Sequence, residues 1–315
     1  MSQIDVSVVV PTLNSGATLE KCLESIRGNT SRYRYEIIVV DGGSTDDTVE
    51  IAGRIADVVL ASDTHYAGAN RNKGFRAAQG NIVCFTDSDC VVPQDWIDGL
   101  ADGLLKLNQE DGSIVGVGGG NVPLLENPTL MELAVSRAIR SPLVAFGARN
   151  VTVYDGPRQV SHNPPMNSAY FKEILEAVDG FGEECAYGGE DLELDARITE
   201  KGHKLYYLPD GVVLHKHRSK YSRFTRQMYL FGRARIRVGR KFRRYLPLHH
   251  YGPALLCLMT FSPLTFIPLG MALANGAWVS VSQRDLRLFP PLALLTVSFY
   301  VCYGAGEIVQ LVKGE

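Results

Sequence analysis

Several features that mark particular protein classes are missing from these 315 residues. There are six cysteines but no CxxC pair, which argues against a structural zinc site and favours reduced thiols in a cytosol-facing protein. The N-terminus has no basic segment followed by a long apolar stretch, so we expect no signal peptide. Tryptophan is scarce, with two residues, and neither follows an arginine. These absences favour a protein that works inside the cell.

Charge of one sign is also missing from part of the chain. Residues 1–215 carry 17 basic and 31 acidic side chains, a net charge of −14, whereas residues 216–244 carry 12 basic side chains and no acid. Residues 245–315 hold three of each sign. This division excludes a nucleic-acid-binding protein that is basic throughout. It predicts three regions: a catalytic or binding domain at 1–215, a basic juxtamembrane helix at 216–250 and apolar helices at 251–315.

Charged residues are absent from 251–283 and again from 288–306. A helix needs ~20 apolar residues to cross the ~30 Å core of a bilayer, and a buried core helix rarely runs so long without a charge. We therefore expect a hairpin of two membrane helices that turns near 283–287. Pro263 and Pro268 interrupt the first run, so it either spans the membrane with a kink or re-enters it.

The basic segment 216–244 mixes its Lys and Arg with aromatic and aliphatic residues. Such a segment beside apolar helices is typical of an interfacial helix whose arginines contact lipid phosphates. An RNA-binding arm has a similar composition, but the neighbouring apolar runs favour membrane lipids, with no nucleic acid as a partner. The positive-inside rule then places the N-terminal domain on the cytosolic side of the cell membrane. The candidate lipid or acceptor contacts are Arg218, Arg233, Arg235 and Arg240.

Short β-branched runs alternate with helical patterns in the first part of the chain. This alternation predicts an α/β domain with a parallel sheet and helices on both faces, in which ligands bind beyond the carboxyl ends of the strands. The predicted strands are Val6–Val10, Glu36–Val40, Val58–Leu60, Ile82–Phe85 and Ile114–Val117. The predicted helices are Ala17–Ile26, Asp46–Ile55, Asn70–Ala78 and Gln94–Leu107.

Polar residues follow three of the predicted strands. They form the sequences PTLN at 11–14, DGGSTD at 41–46 and DSD at 87–89. Taken singly each is weak, because DGGS is usually only a turn and paired aspartates often cap a helix. Asp87 and Asp89 also supply the oxygen ligands that hard divalent cations require. Since parallel strands end at one edge of the sheet, we expect these groups to converge on one crevice.

In this order and at this spacing, the three segments resemble those of the family 2 glycosyltransferases, which are inverting enzymes of the GT-A fold. The resemblance covers about residues 4–218 and implies a Rossmann-like, mostly parallel sheet. The basic helix and apolar hairpin are similar to those of membrane-bound family members in exopolysaccharide and lipid-linked glycan assembly. Further matching segments are GANRN at 68–72, NSAYF at 167–171, VDGF at 178–181, the ED pair at 190–191, and His215 after a short strand.

The resemblance implies a nucleotide-diphosphate sugar as donor and a bound Mg²⁺ or Mn²⁺. A divalent cation offsets the charge of the leaving diphosphate, which an acidic domain otherwise repels. By analogy with the family, Asp89 coordinates the metal and Asp87 holds the ribose. His215 is either a second metal ligand or a structural histidine. The remaining donor-site residues that the resemblance implies are Pro11, Thr12, Asn14, Asp41, Gly68 and Arg71.

On the acceptor side, the resemblance assigns Asp191 as the general base, with Glu190 beside it and Asn167 as an acceptor contact. Inverting transfer needs such a base to take the proton of the attacking hydroxyl. Nearby acids, including Asp195, are expected to raise the proton affinity of Asp191 by like-charge repulsion. Without the other motifs, Glu190 and Asp191 would be read as first-turn acids favoured by a helix dipole.

One absent motif and one intact motif narrow the expected reaction. The QxxRW motif of its processive synthases is absent, which favours the transfer of one sugar per encounter. The intact ED pair favours a hydroxyl acceptor. The predicted membrane segments indicate that this hydroxyl belongs to a lipid-linked saccharide. Two alternatives remain: a polyprenyl-phosphate sugar synthase that acts on the lipid phosphate, and a non-catalytic subunit that binds a nucleotide sugar.

Overall fold

The computed structural model describes residues 3–145, 154–183, 188–216 and 220–314. The chain divides into two compact units. Unit 1 consists of Met1–Val122, Thr152–Ala186 and Glu190–His215, and unit 2 consists of Pro123–Val151, Tyr187–Gly189 and Lys216–Glu315. Arg218, one of the candidate lipid contacts, lies outside the described residues.

The secondary structure is numbered here in chain order. The strands are β1 (Val6–Thr12), β2 (Tyr35–Asp41), β3 (Val58–Ala61), β4 (Ile82–Phe85), β5 (Cys90–Val91), β6 (Ile114–Pro123), β7 (Arg158–Val160), β8 (Ser168–Phe171) and β9 (Lys204–His215). The first helices are α1 (Gly16–Arg27), α2 (Thr48–Ile55), α3 (Ala67–Ala77), α4 (Trp96–Glu110), α5 (Leu130–Ala138) and α6 (Pro142–Ala145). The later helices are α7 (Lys172–Ala177), α8 (Glu190–Glu200), α9 (Tyr221–Lys241), α10 (Gly252–Thr260), α11 (Phe266–Ser282) and α12 (Phe289–Lys313).

Over the described residues, one mixed sheet runs in the order β3-β2-β1-β4-β8-β6-β9-β5, with β7 paired to β9. The pairs β1–β2, β2–β3 and β1–β4 are parallel. The pairs β4–β8, β6–β8, β5–β9 and β7–β9 are antiparallel. The predicted strands and helices of the first 117 residues are confirmed within about three residues at their ends, except that β6 continues to Pro123. The expectation of a mostly parallel sheet is wrong for the second half, because the strand–helix alternation that enforces parallel crossovers stops after α4.

Hydrophobic burial explains the first half of unit 1. Strands β1 and β2 are rich in Val and Ile and are buried along nearly their whole length, as expected for parallel strands covered on both faces. Helix α1 buries Leu19, Cys22, Leu23 and Ile26, which recur at the spacing of one helix face. The polar loops after β1, β2 and β4 are left at one edge of this buried sheet.

Unit 2 is helical, and its helices approach one another closely. A Cβ atom placed on Gly306 of α12 would lie 3.1 Å from the Arg233 nitrogen of α9, and one on Gly232 of α9 would lie 3.1 Å from the Glu307 nitrogen of α12. The two backbones therefore touch where these glycines face each other, which small residues make possible. Thr129 and Glu132 form a capping box at the start of α5.

The apolar C-terminal segment differs from a simple hairpin. Its first run is split into α10 and α11. Only one helical stretch among the described residues is long and apolar enough to cross a membrane: Leu286–Lys313, which consists of α12 and the 3₁₀ turn before it. Buried residues make up 56% of its most apolar 18 residues, and a core helix of a globular protein is buried to a similar extent. Helix α11 is apolar but has only 17 residues. The hairpin of two membrane-spanning helices thus stays a prediction.

Candidate active site

The loops after β1 and β2 are joined by hydrogen bonds. Thr12 pairs with Asp41 at the ends of these strands, and the Gly42 N–H donates to the Thr12 carbonyl at 2.9 Å. Asn14 has a left-handed backbone (φ 48°), and its side-chain oxygen accepts the Thr45 N–H at 2.9 Å. Asparagine tolerates this conformation better than most residues. The PTLN and DGGSTD segments therefore form one ordered polar edge.

The Asp41 carboxylate organises its own loop. It accepts the N–H groups of Gly43 at 3.0 Å and Ser44 at 2.9 Å, and the Ser44 hydroxyl at 2.5 Å. Pro11, Thr12 and Asp41 are buried. Asn14, by contrast, is exposed and so is accessible to a ligand at the edge. Asp41 thus shapes the edge through its carboxylate, from a buried position.

Arg71 connects two of the predicted motifs. Its side chain is 4% exposed, and it donates to Asp87 Oδ1 at 2.7 Å and to Glu190 Oε1 at 2.8 Å. The guanidinium also lies over the Phe181 ring, 5.6 Å from the centroid. Burial opposes the charged form, but the two carboxylates outweigh it and raise the Arg71 pKa above its usual range. The sequence predicts that Arg71 contacts the sugar donor. In the structure, its Nη1 and Nη2 bind Glu190 and Asp87 and hold these two carboxylates together.

Glu190 is a buried acid at the first turn of α8. Desolvation raises its pKa, the neighbouring Asp191 raises it further, and Arg71 opposes both effects. Gly68 makes this packing possible, since a Cβ atom there would lie 2.5 Å from the Gly182 carbonyl oxygen and 3.0 Å from the Glu190 Cβ. Gly68, expected in the donor site, is thus the point of close approach between α3 and the start of α8.

Asp89 and His215 come together at the end of the sheet. Cys90 pairs with His215 across β5 and β9, and the His215 Nε2 lies 3.3 Å from Asp89 Oδ1. The Cys90 sulfur is close enough to complete a group of three potential metal ligands. Burial, together with Asp87 and Asp89, raises the Cys90 thiol pKa well above its usual value. Sulfur is also a soft ligand, which suits Zn²⁺ or Cu⁺ better than a hard cation that binds phosphate oxygens. The carboxylate and the imidazole remain as ligands.

This pair fits a hard divalent cation that also binds phosphate oxygens. Asp89 is partly exposed and His215 less so, which leaves one side open to a ligand. One carboxylate and one imidazole suit Mn²⁺, and Mg²⁺ usually takes one or two carboxylates plus substrate phosphates. These two ligands therefore fit the Mg²⁺ or Mn²⁺ that the sequence predicts.

Asp191 lies beside a histidine that sequence reasoning missed. Its Oδ2 is 3.4 Å from His162 Nε2, and its Oδ1 accepts the Leu192 N–H at 2.8 Å. The other ring nitrogen of His162 is 2.8 Å from the fully buried Asp195. Asp195 therefore faces His162, and its expected effect on Asp191 stays a prediction. His162 follows the short edge strand β7, where no periodic pattern or motif marked it.

Asn167 is fully buried and its amide is occupied within unit 1. Its Nδ2 donates to the carbonyls of Gly120 and Gly211, both at 2.9 Å, and its Oδ1 accepts the Trp96 indole N–H at 2.8 Å. These bonds connect the ends of β6 and β9 with α4. Asn167 therefore has a structural position, and its contact with the acceptor stays a prediction.

The arginines of α9 have different environments in unit 2. Arg233 is buried and its Nε donates to Gln310 of α12 at 2.9 Å. Arg235 is half-buried, and Arg240 is exposed and donates to the Leu311 carbonyl at 2.7 Å. Arg233 thus packs α9 against α12, which a uniformly lipid-facing basic helix would not do. Exposed basic residues on and after this helix are Arg223, Arg226, Arg240, Lys241, Arg243 and Arg244.

Comparison with known proteins identifies the family. Residues 7–178 match the family model described as glycosyl transferase family 2. A protein of Rhizobium meliloti, succinoglycan biosynthesis protein ExoA, is 25% identical and covers 95% of this chain and 92% of its own. A Methanococcus voltae protein, 22% identical over 98% of both chains, is named dolichyl N-acetyl-alpha-D-glucosaminyl phosphate 3-beta-D-2,3-diacetamido-2,3-dideoxy-beta-D-glucuronosyltransferase.

Solved structures show the same fold. The mannosyltransferase PcManGT from Pyrobaculum calidifontis, in complex with GDP-Man and Mn²⁺, aligns with a TM-score of 0.63 and 19% identity. The alignment covers all of this chain and 89% of that one. With the family model spanning more than half of the sequence, the chain belongs to glycosyl transferase family 2 and is a glycosyltransferase of the GT-A type.

Proposed function

We propose that this glycosyltransferase moves one sugar, with inversion, from a nucleotide-diphosphate sugar to a hydroxyl of a lipid-linked saccharide. The observation that carries this proposal is the Arg71 bridge, which joins the DSD segment to the ED pair through Asp87 and Glu190. A donor-side carboxylate and an acceptor-side carboxylate are thereby fixed within one site. Such fixed positions are what transfer between two bound substrates requires.

On the donor side, the edge formed by PTLN and DGGSTD receives the nucleoside, and Asp87 lies next to it for the ribose. Asp89 and His215 hold Mg²⁺ or Mn²⁺, which when bound offsets negative charge on the diphosphate. The complex of the Pyrobaculum mannosyltransferase with GDP-Man and Mn²⁺ supports this assignment. The identity of the base and sugar is set by the contacts of this edge.

On the acceptor side, Asp191 takes the proton of the attacking hydroxyl. The new bond forms between that oxygen and the anomeric carbon while the bond from this carbon to the diphosphate breaks, and the diphosphate leaves with the electron pair. Asp191 is suited to this task because it is partly exposed, whereas Glu190 is buried and paired with Arg71. Loss of such a base typically costs about 10²–10⁴-fold in rate.

The acceptor class is inferred from unit 2 and from relatives. Many large apolar side chains of unit 2 are exposed, among them Leu255, Leu258, Phe261, Phe266 and Trp278. Exposed apolar surface of this kind, flanked by basic residues, is typical of membrane-bound segments. The Methanococcus relative is named for a dolichyl phosphate-linked sugar. We infer that unit 2 anchors the enzyme at the cytosolic face of the membrane, where lipid-linked saccharides are present.

The test is transfer of labelled sugar from a panel of UDP-, GDP- and dTDP-sugars in membranes that contain the enzyme. With Mn²⁺, label from one donor is expected in the organic-solvent lipid fraction, and EDTA is expected to abolish it. An acid-stable product indicates a new sugar–sugar bond, whereas a product labile to mild acid would identify the lipid phosphate as the acceptor. Donor binding without any transfer would favour a non-catalytic subunit and contradict the proposal.

A further inference from the structure

His162 lies between two carboxylates of one helix face. Its Nδ1 is 2.8 Å from Asp195 Oδ2, and its Nε2 is 3.4 Å from Asp191 Oδ2. Asp191 and Asp195 are four residues apart on α8 and therefore project from the same side. The imidazole is only 10% exposed, so water screens these interactions poorly.

Asp195 is held in place by three hydrogen-bonding neighbours. It is fully buried, and it accepts the Tyr170 hydroxyl at 2.9 Å and the Asn163 N–H at 2.7 Å in addition to His162. Burial raises the Asp195 pKa, and His162 heads the groups that oppose this effect. A buried carboxylate with three donors fixes the orientation of the ring that it binds.

Other charged and titratable groups near this pair come from the elements packed around it. Tyr170 of β8 contacts Asp195 and interacts electrostatically with Asp191. Arg71 of α3 and Glu190 of α8 also interact with Asp191. Arg71 and Glu190 also form an ion pair with each other. His162 is thus the side chain that lies between Asp191 and Asp195.

We propose that His162 is a positioning residue for the general base, and this rests on the proposed role of Asp191. With a proton on each ring nitrogen, the imidazolium donates to Asp195 on one side and faces Asp191 on the other. It holds the Asp191 carboxylate oriented toward the acceptor. When Asp191 takes the hydroxyl proton, its charge is lost and the Asp195–His162 pair stays neutral overall, so no unpaired charge is left in the site.

The experiment measures the pH dependence of kcat for the parent, His162→Gln and Asp191→Asn. For His162→Gln, the acidic limb is expected to move to higher pH, because a neighbouring group that can carry positive charge has been removed. The basic limb that reports loss of the imidazolium is expected to disappear. The KM for the donor is expected to stay the same while kcat falls. His203→Gln, the same change beyond the other end of α8, is the control and should keep the parent profile.

A second measurement uses no activity and no change at His162. In the NMR spectrum of folded Asp191→Asn, the His162 imidazole is expected to titrate at lower pH than in the parent, because a neighbouring anion has been removed. Parent-like limbs in His162→Gln, or unchanged His162 titration in Asp191→Asn, would overturn the inference alone. Parent-rate transfer by Asp191→Asn would overturn the base assignment and this inference with it.

Discussion

Arg71 is a buried guanidinium between carboxylates that are 103 residues apart in sequence, Asp87 and Glu190. The position of one carboxylate in the sequence says nothing about the position of the other. The motifs therefore predicted roles for Arg71, Asp87 and Glu190 without predicting that they are in contact. Removing one partner of a buried ion pair leaves an uncompensated charge, which costs more than the pair itself contributes. Arg71 is therefore the residue whose loss most directly uncouples the two halves of the site.

Arg71→Met is expected to lower the free energy of unfolding by about 3–5 kcal/mol at neutral pH. The loss should be smaller at pH 5 than at pH 8. Glu190 already has a folded-state pKa above its ordinary value of 4.5, and without Arg71 that pKa rises further. An acid with a raised folded-state pKa destabilises the protein as pH rises from the unfolded value through the folded value. Urea unfolding at the two pH values measures the difference.

Arg76→Met on the same helix is the matched control. Arg76 is half exposed and pairs with Glu183 at 2.9 Å at the protein surface. Exposed ion pairs contribute about 0–1 kcal/mol, so this variant should unfold within that range of the parent at both pH values. An equal loss in the two variants, or a loss in Arg71→Met that grows on acidification, would contradict the role assigned to Arg71.

At the scale of elements, α3 and α8 meet where Gly68 faces Gly182 and Glu190. Gly68→Ala is expected to displace the start of α8, because the added methyl group has no room. Overpacking of this kind costs about 1–3 kcal/mol, and the shift of Asp191 should lower transfer more than donor binding. Thermal unfolding and transfer rates measure the two effects.

Gly53→Ala in α2 tests the same substitution in open space. A Cβ atom there has no neighbour within 4 Å. Alanine is favoured over glycine inside helices by about 0.5–1 kcal/mol, so this variant should unfold at a higher temperature and transfer at the parent rate. If Gly68→Ala behaved like Gly53→Ala, the close packing at Glu190 would not govern the site.

The elements also explain what sequence patterns reveal. Strands β1, β2 and β4 were predictable as short apolar runs that end in polar turns, and the helices α1–α4 were predictable from the helical patterns between them. The antiparallel strands β7 and β8 are short, with three and four residues, and carry too little pattern to set their direction. The motif residues on the sheet edge were predictable because they directly follow strands that the sequence reveals. His162 was not, because its role depends on Asp195 reaching it from a distant helix.

At the scale of the whole molecule, membrane attachment is assigned to unit 2. Phe261→Asp with Phe266→Asp is expected to weaken flotation with anionic vesicles, because both rings are exposed and charged groups oppose entry into lipid. Val49→Asp with Leu105→Asp places the same charges on exposed positions of unit 1 and should float like the parent. Equal flotation of all three proteins would contradict the assignment of unit 2 as the anchor.

The central claim is that Asp89 and Asp191 divide donor binding and proton transfer between them. The direct measurement is donor affinity with and without Mn²⁺, together with single-turnover transfer, for Asp89→Asn and Asp191→Asn. We predict that Asp89→Asn loses the Mn²⁺-dependent part of donor affinity, while Asp191→Asn binds donor like the parent and transfers about 10²–10⁴-fold more slowly. Parent-rate transfer by Asp191→Asn, or unchanged Mn²⁺-dependent binding by Asp89→Asn, would contradict the account.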